Sequence, residues 1–97
     1  MKKLIRDNVF PATGEVLVLT DDDKFHEHLR DELEELVTDY FEAKTTPGEL
    51  DALADVMECC YALASLRGVS VTSMDNARNI RANLRGRFNR RKLWVEP

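Results

Sequence analysis

Glycine, proline, cysteine and aromatic residues are all scarce in this chain: four glycines, three prolines, two cysteines and 7% aromatics in 97 residues. With so few glycines, none of them clustered, there is no glycine-rich loop to cradle a phosphate. Collagen-like and disordered compositions are excluded by a hydrophobic fraction of 43% beside 33% charged residues. The two cysteines, Cys59 and Cys60, are adjacent, a spacing poorly suited to a mutual disulfide and unlike a zinc pattern, so they read as reduced core residues. No apolar run approaches a membrane span, and Met1-Lys2-Lys3-Leu4-Ile5-Arg6-Asp7 lacks the apolar core of a signal peptide. A soluble cytoplasmic protein with no membrane partner is expected. Few aromatics for base stacking and a net charge of -4 also disfavour nucleic acid as a partner. A chain this short is expected to form one domain over residues 1–97, with no second lobe to close on a site.

What is present is ordinary globular composition, 43% hydrophobic and 33% charged, with an uneven charge distribution. Residues 1–70 hold seven lysines and arginines against sixteen acids, a balance of -9, whereas residues 71–97 hold seven against two, a balance of +5. Such asymmetry is met either by charge pairing within or between subunits, or by a cation site on the acidic part and an anion-binding strip on the basic part.

Three helices are predicted. Asp21-Asp22-Asp23 offers an N-cap, and Phe25, Leu29, Leu33, Leu36, Val37 and Tyr40 recur at helical steps, giving a helix over 22–43. Thr46 as cap, Pro47 in the first turn and Glu49 closing a capping box start a second over 47–66, with Gly68 beyond its end. Ser70 caps a third over 71–85, stopped by Gly86. The first twenty residues are irregular, with at most a small strand over 15–20, and the last eleven form a tail expected to pack through Phe88 and Trp94. The second helix is apolar on two sides: Leu50, Leu53, Met57 and Tyr61 on one, Ala52, Val56, Cys59 and Leu63 on the other. Three helices cannot cover both sides, so the fold class expected is an all-α bundle whose four-helix core is completed by dimerisation.

Glu32, Glu35 and Asp39 share a stripe of the first helix with His28, and Asp51, Asp55 and Glu58 form a second stripe on the next. Two acidic stripes on consecutive helices either are solvated surface or converge on a hard cation, for which all-oxygen ligation suits Mg²⁺ or Mn²⁺. His26 and His28 point to different sides and read as exposed; Cys59 has no third group to make it a nucleophile. Arg78, Arg81 and Arg85 recur on the third helix, as solvated charges or as phosphate ligands.

Four separated segments resemble one family. Lys3-Leu4-Ile5-Arg6-Asp7-Asn8 is similar to the KLVRDKIP-type start of the small all-α nucleoside triphosphate pyrophosphohydrolases related to MazG and to phosphoribosyl-ATP pyrophosphohydrolase. Asp31-Glu32-Leu33-Glu34-Glu35 resembles their EExxE helix, Leu53-Ala54-Asp55-Val56-Met57-Glu58 their ELADVLE helix, and Arg85-Gly86-Arg87-Phe88 with Arg90-Arg91-Lys92-Leu93 their RGGFxxRIxL ending. The order matches the family over nearly the whole chain. The resemblance implies a dimeric all-α fold and Mg²⁺-dependent hydrolysis of a nucleoside triphosphate to monophosphate and pyrophosphate. Glu32, Glu35 and Asp55 match its metal-binding and catalytic positions, with Glu58 the expected addition. Lys3, Arg6, Arg81, Arg85 and Arg87 are the candidates for binding substrate phosphates. Two positions depart from the pattern. Asp31 replaces the first glutamate, and Ala52 stands where the second motif has a glutamate three residues before its aspartate, with Asp51 and Glu58 placed to compensate. The departure at Ala52 motivates an alternative, a non-catalytic helical dimer that binds a nucleotide or a protein.

Overall fold

In the computed structural model, which describes residues 2–97, the regular structure is α1 (Asp22–Glu42), α2 (Thr46–Leu66) and α3 (Val71–Arg85). α1 starts where Asp21 accepts hydrogen bonds from the Asp23 and Lys24 amides at 2.9 and 3.2 Å, with Asp22 and Asp23 in the positively polarised first turn. The expected helix at 22–43 is therefore found one residue shorter, with Ala43 as its cap. α2 is capped by Thr45, not Thr46: Thr45 Oγ1 accepts from the Gly48 amide at 3.1 Å. Two consecutive threonines offer the same cap, and choosing the first makes Gly48 the third helical residue, so Glu49 stands one place too late to close a capping box. α3 follows Ser70, whose hydroxyl accepts from the Ser73 amide at 3.1 Å. α2 and α3 give way to left-handed glycines at Gly68 and Gly86, as expected.

Two expectations are corrected. Among the described residues there is no strand, and residues 15–20 run as irregular, largely exposed chain, because an isolated apolar alternation has no second strand to pair with. The tail does not pack: Phe88 is 95% exposed and Trp94 78%, because residues 86–97 form no regular element that could hold two side chains against the helices.

α1 and α2 form an antiparallel hairpin joined by the short turn at 43–45, and α3 leans on the end of α2. The interior is thin. Leu29 of α1 and Ala52 and Cys59 of α2 are the buried apolar residues among those described. α2 thus covers one of its two apolar sides with α1 and leaves Leu50, Leu53 and Met57 of the other in solvent. The whole chain exposes 9060 Å², against roughly 5,700 Å² for a compact monomer of this mass. Its radius of gyration is 16.7 Å, where about 12.5 Å is usual for this length. No helix among the described residues is long and apolar enough to cross a membrane.

Candidate functional site

The acidic stripes of α1 and α2 come together against the N-terminal segment. Glu32 and Glu35, one turn apart on α1, both accept from the Lys3 ammonium, at 3.3 and 2.7 Å. Across the hairpin, Asp55 Oδ1 accepts from the Arg6 guanidinium at 3.2 Å. Between these two cations, Leu4 and Ile5 dip half-buried onto the helices. The irregular start of the chain therefore lies along the α1–α2 seam, its apolar pair turned inward and its charges on the carboxylates. The bond from Glu35 pushes the Lys3 pKa above the ordinary lysine range; slight burial opposes this and Glu32 adds to it.

Beneath Leu4 and Ile5 is a groove of about 330 Å³, within the size range of small-ligand sites. Its apolar wall includes Phe25, Leu29, Leu36 and Ala62, and Glu32, Asp55 and Glu58 stand on it with Arg6 and Asp7. A second, polar recess of about 300 Å³ adjoins it through Glu32 and takes in Lys3, His28, Asp31 and Glu35. Six carboxylates, Asp7, Asp31, Glu32, Glu35, Asp55 and Glu58, line the two together against three cations, Lys2, Lys3 and Arg6. Glu32 is the most enclosed of the paired acids, its side chain 19% exposed against 48% for Asp55 and 55% for Glu35.

Several sequence candidates are separated from this cluster. Asp39 and Asp51 are exposed and line neither recess. Arg81, Arg85 and Arg87 are likewise exposed and line neither, so within one chain they are not gathered with the carboxylates. Ala52 is 7% exposed, in the α1–α2 contact. His28 lines the polar recess, whereas His26 lines neither. Cys59 lies on the groove floor, its thiol donating to the Leu29 carbonyl at 3.4 Å, and burial first, then Cys60 and Glu32, pushes its pKa up. A thiol held protonated in this way is a poor nucleophile.

Phe25, Leu36 and Asp7 belong to the groove but were not site candidates. Phe25 and Leu36 carried only the helical apolar period, which marks core and groove wall alike, and Asp7 had only its place beside Arg6. Among the described residues no group of three or more His, Cys, Asp and Glu side chains is placed to hold a metal ion, and Glu32 and Glu35 pair with Lys3 while Asp55 pairs with Arg6. No protein-family model, curated protein or solved structure matches the chain.

Proposed function

We propose that the protein is a Mg²⁺-dependent nucleoside triphosphate pyrophosphohydrolase that releases pyrophosphate and a nucleoside monophosphate, removing aberrant or surplus nucleotides. The observation that carries the reading is the meeting of Glu32 and Glu35 from α1 with Asp55 from α2 around one short cationic segment, beside an apolar groove. The donor set fits the ion: all carboxylate oxygen, hard, on two adjacent helices, with charge in excess of the cations now paired to it. Glu32, Glu35 and Asp55 are the proposed ligands, with Glu58 at the groove edge as the fourth, and Mn²⁺ satisfies the same set. Held by those carboxylates, a divalent ion would offset phosphate charge and lower the pKa of a bound water. The chain's own part is to orient and to neutralise. A carboxylate left free of the ion accepts the water's proton, Lys3 and Arg6 hold phosphate oxygens, and the apolar wall with Phe25 receives the nucleoside.

The functional unit is proposed as a homo-oligomer, a dimer at least, in which the uncovered side of α2 completes a four-helix core. Support comes from the exposed Leu50, Leu53 and Met57 and from a surface well above that of a compact monomer. A second copy is then the source of Arg81, Arg85 and Arg87 at the phosphates. The free Cys59 and Cys60 fit a reducing compartment such as the cytoplasm.

A second reading, a non-catalytic nucleotide- or protein-binding dimer, is favoured by one observation: Ala52 is core, so the carboxylate that the resembled motif carries there is absent. A panel of nucleoside triphosphates incubated with the protein and Mg²⁺, with pyrophosphate as the readout, separates the two. Pyrophosphate from at least one nucleotide, lost in Glu35→Gln, is expected. A panel without pyrophosphate while Mg²⁺ binds would establish the non-catalytic reading.

A further inference from the structure

The segment that bears Lys3 and Arg6 has no regular structure of its own. It is held by Leu4 and Ile5 on the groove, by a turn in which the Val9 amide donates to the Arg6 carbonyl at 3.0 Å, and by the three ion pairs to Glu32, Glu35 and Asp55. Lys3 Nζ touches one oxygen of each of two carboxylates one helical turn apart, and both carboxylates are proposed ligands of the divalent ion. Ammonium and ion cannot occupy those oxygens together. The pairs are also of the exchangeable kind: Lys3 is 43% exposed and Arg6 60%, and solvent-exposed ion pairs are weak and salt-sensitive.

We propose that the N-terminal segment is the resident counter-ion of the carboxylate cluster and exchanges with the divalent cation, so that Lys3 and Arg6 leave the carboxylates as the ion enters and are freed to pair with anionic phosphate. The proposal rests on the cation reading above and adds a regulation to that site. In the ion-free protein the segment neutralises three acids that would otherwise repel one another, and its cations stand where phosphate oxygens would arrive. Loading therefore couples two events, filling of the acidic site and liberation of two cations beside it. Because only the open fraction of the protein accepts the ion, its apparent affinity is reduced by that fraction.

The test is calorimetric titration of Mg²⁺ into the full chain, the Lys3→Met variant and the Lys3→Arg variant, without nucleotide. Methionine keeps the apolar stem and removes the competing charge, so Lys3→Met should bind Mg²⁺ about threefold to tenfold more tightly, the range set by losing weak exposed pairs. Lys3→Arg should stay near wild type. In parallel, amine labelling of the wild-type protein read by mass spectrometry should show Lys3 reacting faster as Mg²⁺ is raised, with Lys44 in the exposed α1–α2 turn unchanged as reference. Equal Mg²⁺ affinity in wild type and Lys3→Met, or Lys3 labelling indifferent to saturating Mg²⁺, would overturn the exchange while leaving the cation reading in place. Tightening of the same size in Lys3→Arg would overturn it too, since the charge is then not the competitor. No Mg²⁺ binding by any of the three proteins would remove both the exchange and the cation reading.

Discussion

Tyr61 donates a 2.8 Å hydrogen bond to Asp75, and with it α2 holds α3. α3 buries no residue of its own, so little else resists its departure. The bond needs the phenol protonated, and Asp75, through the bond first, then partial desolvation and its charge, pushes the Tyr61 pKa above the ordinary tyrosine value. A folded-state value raised above the unfolded one means that the stabilisation is complete below about pH 10 and is lost as pH rises through the raised value. In a Tyr40→Phe background, the remaining tyrosinate absorbance should appear at higher pH than in free tyrosine and move down in Asp75→Ala. Near neutral pH, Tyr61→Phe should speed amide exchange across Val71–Arg85 several-fold while the α1–α2 hairpin keeps its protection.

Local chemistry was enough to read the helices, because their ends are set by adjacent residues: Asp21, Pro47, Gly68 and Gly86 each act within a turn of where they stand. Thr45 and Thr46 show the resolution of that reasoning, since either hydroxyl can cap and only three-dimensional packing selects one. Helical spacing put Glu32, Glu35, Asp55 and Glu58 on two acidic stripes, but it put Asp39 and Asp51 there as well, and these line neither recess. What was not legible is where the irregular start of the chain lies. Lys3 meets acids 29 and 32 residues away and Arg6 one 49 residues away, and no periodicity encodes such contacts. The tail is the opposite case: Phe88 and Trp94 have the composition of buried residues, yet both stand in solvent, as do Ile80 and Leu84 of α3 just before them.

The outward side of α2 is the place to test assembly. Leu53 is 45% exposed and Met57 55%, and α3 adds Ile80 and Leu84, one turn apart. At concentrations where wild type scatters light as a dimer or larger, Met57→Lys should scatter as a monomer with its helix content retained. The exposed position makes this substitution cheap within one chain, about 0.5 kcal/mol or less, while placing a charge in the proposed interface. A wild-type protein that is monodisperse and monomeric at micromolar concentration would remove the interface.

Cys59 and Cys60 are neighbours in sequence with different surroundings. Cys59 is 6% exposed, donates to the Leu29 carbonyl and has its thiol pKa raised by burial, while Cys60 is only half-buried. Iodoacetamide at neutral pH should therefore modify Cys60 first and reach Cys59 only when the α1–α2 hairpin opens. Peptide mapping after short exposures checks the order, and equal rates at the two thiols would show that the hairpin opens freely. Ligand in the groove, whose floor includes Cys59, should slow the second modification further.

At position 52 the resembled motif has a glutamate and this chain has a core alanine, 7% exposed and one turn before Asp55. Glutamate there adds bulk and charge to the α1–α2 contact. The added volume alone should cost about 1–3 kcal/mol, and an unpaired carboxylate more. Ala52→Gln has the same bulk without the charge, so it reports the volume cost by itself. If position 52 reaches the cation site, Mg²⁺ should recover stability in Ala52→Glu, because an ion bound only by the folded state adds stability in proportion to its affinity. The glutamine variant should then gain no more than wild type. Thermal unfolding of the three proteins at several Mg²⁺ concentrations decides the matter: a larger Mg²⁺-dependent rise in Tm for Ala52→Glu places position 52 at the ion. Equal rises in all three mean that α2 turns this residue wholly into the core and that Glu58, on the groove side of the same helix, is the carboxylate left to complete the set.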